Sequence, residues 1–148
     1  MSTLLLVAHV VAAMFVIGPM AILPMMGLRE VRAANAGRLD SISRATRLFS
    51  LLSLVVVVLG FGVLATARSK EQLTVLTPWV AASVIIYLVA TSLSLFVTVP
   101  LLRNEADRLT SPQSTPHRSM RAYRAVAAAS GATTLGLVAI TVLMVWQP

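Results

Sequence analysis

Apolar residues along this chain gather into four long runs. They extend from about Thr3 to Leu28, Leu48 to Ala67, Pro78 to Leu102 and Ala125 to Trp146. Crossing about 30 Å of hydrocarbon takes about 20 helical residues at a rise of about 1.5 Å each, and every run is near or above that length. None shows period-two alternation, and a backbone in lipid must satisfy its own hydrogen bonds, so the pattern predicts helices. The expectation is an all-α protein with one integral membrane domain over residues 1–148. Its form is a four-helix transmembrane bundle of two tandem out–in–out helical hairpins, with cytoplasmic loops at 29–47 and 103–124.

Local signals mark the ends of these helices. Thr77-Pro78 reads as an N-cap followed by proline at the first helical position, and Thr115-Pro116 repeats it. Asn35-Ala36-Gly37 reads as a stop and turn, with Ser41 as the next N-cap. The first two helices should then project past the membrane as a short helical hairpin. Pro19, Pro24 and Pro100 fall inside the runs, where each removes a backbone donor and bends its helix.

The cations orient the bundle. Arg29, Arg32, Arg38, Arg44 and Arg47 lie between runs one and two; Arg103, Arg108, Arg118, Arg121 and Arg124 lie between runs three and four. Only Arg68 and Lys70 lie between runs two and three. By the positive-inside rule both termini face away from the cytoplasm, across the cell (inner) membrane, with Trp79 and Trp146 at the outer interface. The first run is too long for a signal peptide and ends in Arg29 and Arg32, so it is expected to be a retained span.

Composition narrows the class. Of 148 residues, 57% are hydrophobic and only 11% charged, too few to build a water-facing surface. Mean hydropathy is +0.87. The lipid bilayer is the expected surrounding. The net charge of +7 is confined to the flanks of apolar runs and has no aromatic platform, which argues for no nucleic acid. With no cysteine, thiolate zinc sites, disulfides and cysteine nucleophiles are excluded. Glu30, Asp40, Glu71, Glu105 and Asp107 all fall outside the runs, which disfavours proton-coupled transport of the small multidrug-exporter kind. Ser111 to Pro116 reads as an ordinary polar linker, and His117 beside it as solvated.

The halves resemble each other weakly: Arg44-Ala45-Thr46-Arg47 enters run two, Arg121-Ala122-Tyr123-Arg124 enters run four, and Ser53 and Ser130 fall at equivalent positions. A parallel duplication and chance both account for this. The clearest packing face is in run four, where Ala128, Ala132 and Gly136 recur every fourth residue. Such a face serves packing within the bundle or docking to another membrane subunit. Leu54 to Leu59, an unbroken aliphatic stretch, is expected to meet lipid.

His9 is the one ionisable residue inside a run, roughly 9 Å below the outer edge of the hydrocarbon. An ionisable group at that depth marks a candidate site. Ala12 and Ala13, one turn on, leave room beside the imidazole. One reading is haem b, with His9 as axial ligand, Met144 as a second ligand at a compatible level and Arg68 meeting a propionate. Copper would draw on His9 with Met14 and Met20, which are scattered. The other reading is a packing histidine, satisfied across the interface by Tyr87 or Thr141.

His9-Val10-Val11-Ala12-Ala13, then Gly18-Pro19 and Pro24, resembles the start of bacterial four-helix proteins known as domain of unknown function 2269. The resemblance covers nearly the whole chain and implies a membrane protein without assigned activity. More distantly, the opening is similar to copper-resistance D-like membrane proteins, which implies a metal or haem role for His9. Those proteins carry a Trp-x-Gly element where this chain has Phe15-Val16-Ile17-Gly18. The leading expectation is a non-enzymatic accessory or packing subunit, acting in a homo-oligomer or a larger membrane complex. Two alternatives stay open: a haem b- or metal-binding redox protein, and half of a dimeric carrier for a neutral or lipidic substrate.

Overall fold

In the computed structural model four helical spans pack side by side. The structure describes residues 2–71, 77–110 and 116–146, with side chains described except at 2, 67–71, 116–119, 121 and 122. No strand occurs among the described residues. The helices are α1 (Ser2–Arg32), α2 (Ala36–Glu71), α3 (Pro78–Leu93), α4 (Val99–Leu109) and α5 (Pro116–Trp146). A π-helical turn, Ser94–Thr98, joins α3 to α4. The third span is thus the composite Pro78–Leu109, and all four spans are long and apolar enough to cross a membrane.

The helices outrun the apolar runs. Segments 29–47 and 103–124 are mostly helix rather than loop, and the α1–α2 connection shrinks to Ala33–Asn35. Hydrogen bonds from Asn35 N–H to the Glu30 carbonyl (3.2 Å) and from Ala34 N–H to the Val31 carbonyl (3.4 Å) close α1. Ala34 takes the left-handed conformation this closure requires, at φ 51°. Asn35 then caps α2 by accepting the Arg38 N–H on its side-chain oxygen at 3.2 Å. The stop therefore falls two residues before Gly37, and the cap is Asn35 rather than Ser41. Ser41 lies inside α2, its hydroxyl donating to the Gly37 carbonyl. A Glu30–Arg38 ion pair spans the turn at 3.3 Å.

α1 continues through Pro19 and Pro24 without interruption. The third span begins at Pro78 with Thr77 extended before it, as expected, though the Thr77 side chain makes no capping hydrogen bond. Its irregularity precedes Pro100. Val99 N–H reaches back five residues to the Ser94 carbonyl, widening the ladder before the proline, which has no N–H to offer.

α1 packs on α2 and α5, and the third span packs on α5 and on α2. Its contact with α2 concentrates at the π turn and α4. The bundle is closed at the turn end by a cluster of Val31, Leu39, Leu102, Ala106 and Val126. Outward, large aliphatics such as Leu54, Val55, Val58, Ile85, Val89 and Leu135 are exposed, as a lipid-facing surface requires. Within the Leu54–Leu59 stretch, however, Val56 turns inward and is buried.

The small-residue face of α5 points elsewhere than its spacing suggests. The buried stripe is Val126, Ala129, Ser130, Thr133 and Leu137. Ala128 and Ala132 are exposed, so they do not pack within the bundle. Gly136 alone of that trio meets a neighbour; a Cβ there would touch Ile86 at 3.3 Å and Ala90 at 3.7 Å. The offset is geometric: at 100° per residue, positions 128 and 132 lie well round the helix from 126, 130 and 137.

Candidate functional site

The polar interior is built from hydroxyls. On α2, Ser43, Thr46, Ser50 and Ser53 are all buried, at spacings of three, four and three. On the third span, Ser83, Tyr87, Thr91, Ser94 and Thr98 are buried at spacings of four, four, three and four. α5 adds Ser130 and Thr133. Each set lies on one helix face, so three spans turn hydroxyls toward a common seam.

Two bridges cross from α2 to the third span: Ser50 Oγ to Ser94 Oγ at 2.8 Å and Ser53 Oγ to the Tyr87 hydroxyl at 2.7 Å. The second has a direction. Ser53 Oγ donates its only proton to the Ser50 carbonyl at 2.7 Å, so Tyr87 donates to Ser53. Tyr87 thereby ties the two helices through its oxygen. Elsewhere hydroxyls back-bond within their own helices: Ser83 to the Trp79 carbonyl, Thr98 to Leu93 and Ser130 to Ala127. Thr134 reaches the Ala21 carbonyl of α1 at 3.5 Å. Three buried hydroxyls, on Thr46, Thr91 and Thr133, have no hydrogen-bond partner.

His9 sits on a different face. Its Nδ1 lies 2.9 Å from the Val56 carbonyl of α2. A carbonyl only accepts, so Nδ1 carries a proton and donates it. The ring fits because residue 60 is glycine: a Cβ there would come within 2.9 Å of His9 Cε1. The partners expected across the interface are engaged elsewhere. Tyr87 bonds Ser53, and Thr141 donates to the Leu137 carbonyl of its own helix at 3.0 Å. The physical reason is pairing geometry: α1 packs on α2, whose carbonyl is the nearest acceptor.

Among the described residues the haem constellation is not brought together. Met144 is 42% exposed and has no described contact with His9. The side chain of Arg68 lies outside the described residues, as do those of His117, Arg118 and Arg121. His9 supplies one ring nitrogen and the described residues set no second axial ligand beside it, so they do not form the two-ligand haem site. Nor do they contain a group of three or more His, Asp or Glu able to hold a metal ion. Met14 is exposed and Met20 fully buried, so they do not converge.

Glu105 is buried although it lies beyond the apolar run. Placed outside the spans by hydropathy, it is only 4% exposed, because α4 carries it inward beside Leu102 and Ala106. Arg108, one turn on, pairs with it. At the same end Arg32 stacks over the Tyr123 ring at 4.6 Å, tying α1 to α5.

Four apolar spans around a hydroxyl seam define a helical-bundle integral membrane protein. The chain belongs to the family described as predicted integral membrane protein, domain of unknown function 2269, whose model matches residues 3–148. No curated protein and no solved structure matches it.

Proposed function

We propose that this protein is a non-enzymatic subunit of a membrane assembly, docking through the outward face of α5. The observation that carries the reading is the exposure of Ala128 and Ala132, a small pair one turn apart with open space beside Gly131. Lipid gives helices no hydrophobic drive to associate, so close backbone approach at small residues is what holds them. The ionisable groups inside the bundle support a non-catalytic role: half-buried His9 is hydrogen-bonded to a backbone carbonyl and buried Glu105 is paired with Arg108. The assembly lies in the cell membrane, with both termini outside the cytoplasm, on the strength of ten cations against two.

The natural chain has no cysteine, so single cysteines test this cleanly. Ala128→Cys and Ala132→Cys should crosslink in native membranes to a second copy or another membrane protein, while buried Ala129→Cys should not. A strictly monomeric protein that forms no adduct from either exposed position overturns the proposal. A reporter fused after Pro148 should be active outside the cytoplasm, and one inserted near Ser114 inside it; the reverse pattern overturns the orientation.

A further inference from the structure

Thr46, Thr91 and Thr133 share three properties. Each is at least nine-tenths buried, each hydroxyl lacks a partner, and each lies on the stripe its helix turns toward the seam. A helical threonine ordinarily satisfies its hydroxyl on the carbonyl three or four residues back. Ser53, Ser83 and Ser130 on the same stripes do so. The three threonine hydroxyls make no such bond. A buried hydroxyl left unmade costs on the order of the whole desolvation penalty, so a partner is required.

We propose that these three threonines are water-binding positions and that the seam between α2, the third span and α5 is hydrated from its inner end at Thr46 to the middle of the bilayer at Thr91 and Thr133. The ligand is neutral and water-sized. Among the described residues, the one charged side chain buried along the continuation of these stripes is Glu105, and it is already balanced by Arg108. A buried water needs two to four polar partners, and neighbours on the same stripes supply them. Thr46 lies between Ser43 and Ser50. Thr91 lies between Tyr87 and Ser94, and the Tyr87 oxygen, having donated to Ser53, still accepts. Thr133 follows Ser130 by one turn. The level is the middle of the span: Gly136 meets Ala90 and Ile86, which sets Thr133 level with Thr91 thirteen residues into α3.

The test turns on a change of sign. Replacing threonine by valine keeps the shape and removes the hydroxyl. If the hydroxyls are merely unpaired, Thr91→Val and Thr133→Val raise the melting temperature, because an unsatisfied group is lost. If they hold water, both lower it by several degrees and Thr→Ser at the same sites restores it. A second measurement needs no variant. In water-edited solid-state NMR of the unaltered protein in vesicles, magnetisation from water should reach Thr91 and Thr133 as fast as it reaches residues at the α1–α2 turn. It should reach outward-facing Val58 slowly. A rise in melting temperature in the valine variants, or no transfer to the two threonines, overturns the proposal.

Discussion

The two interfaces of α2 are built on opposite principles. Toward α1, α2 presents glycine: Gly60 receives the His9 ring, and a Cβ on Gly62 would meet Leu5 at 2.8 Å. Backbones come close, and the one polar link runs from a side chain to a main-chain carbonyl. Toward the third span, α2 presents hydroxyls, and a tyrosine bridges the helices through its oxygen. The first interface draws on shape, which is unforgiving of added atoms. The second draws on paired hydrogen bonds, each of modest worth in a membrane. Steric change should therefore be costly on one side of α2, and polar deletion mild on the other.

The largest expected effect is Gly60→Leu, which expels the His9 ring and breaks its bond to Val56. Overpacking of this kind should cost about 3 kcal/mol, read from reversible unfolding in mixed micelles. An unfolding free energy unchanged from the natural protein would mean the close approach is not structural. Next comes a contrast of alanines. Gly60→Ala meets a ring pinned by a hydrogen bond and should cost about 1–2 kcal/mol. Gly62→Ala meets only the end of a flexible leucine, which can turn aside, and should cost about 0.5 kcal/mol or less. Equal losses would erase the distinction.

On the hydroxyl side, Tyr87→Phe should cost about 1 kcal/mol, since Ser53 keeps its bond to the Ser50 carbonyl. A double-mutant cycle with Ser53→Ala should show the two side chains coupled, and strict additivity would mean the bridge is absent in the membrane. The smallest effect belongs to the turn joining the α1–α2 pair. Ala34→Gly should stabilise by about 0.5–1 kcal/mol by relieving the left-handed backbone. A loss of stability there would place the turn in another conformation.

Much of the frame was legible in the chain. Apolar runs set the four spans, because helix is the economical way to satisfy a lone backbone in lipid. Thr77-Pro78 marked one end, and the neighbourhood of Asn35 marked the turn, with the stop two residues and the cap six residues from where the sequence put them. The seam was visible only as spacing: Ser43, Thr46, Ser50 and Ser53, and Ser83, Tyr87, Thr91, Ser94 and Thr98, fall on single faces. Inside apolar runs these residues read as tolerated polar scatter, and no local rule says which face is inward. The burial of Glu105 was hidden for a related reason. Hydropathy ended the span at Leu102, while the helix carried on and packed its next turn against α2 and α5.

The chain by itself determined the number of spans, the membrane setting and the charge asymmetry, since each depends on composition summed over a segment. Tertiary structure alone decided which acceptor His9 takes, that Ala128 and Ala132 face outward, and that the hydroxyls meet. Those outcomes depend on how each helix is rotated about its axis, and rotation is set by the packing of neighbours rather than by any one helix. A single helix of hydroxyls and aliphatics can be turned at little cost; four packed together cannot.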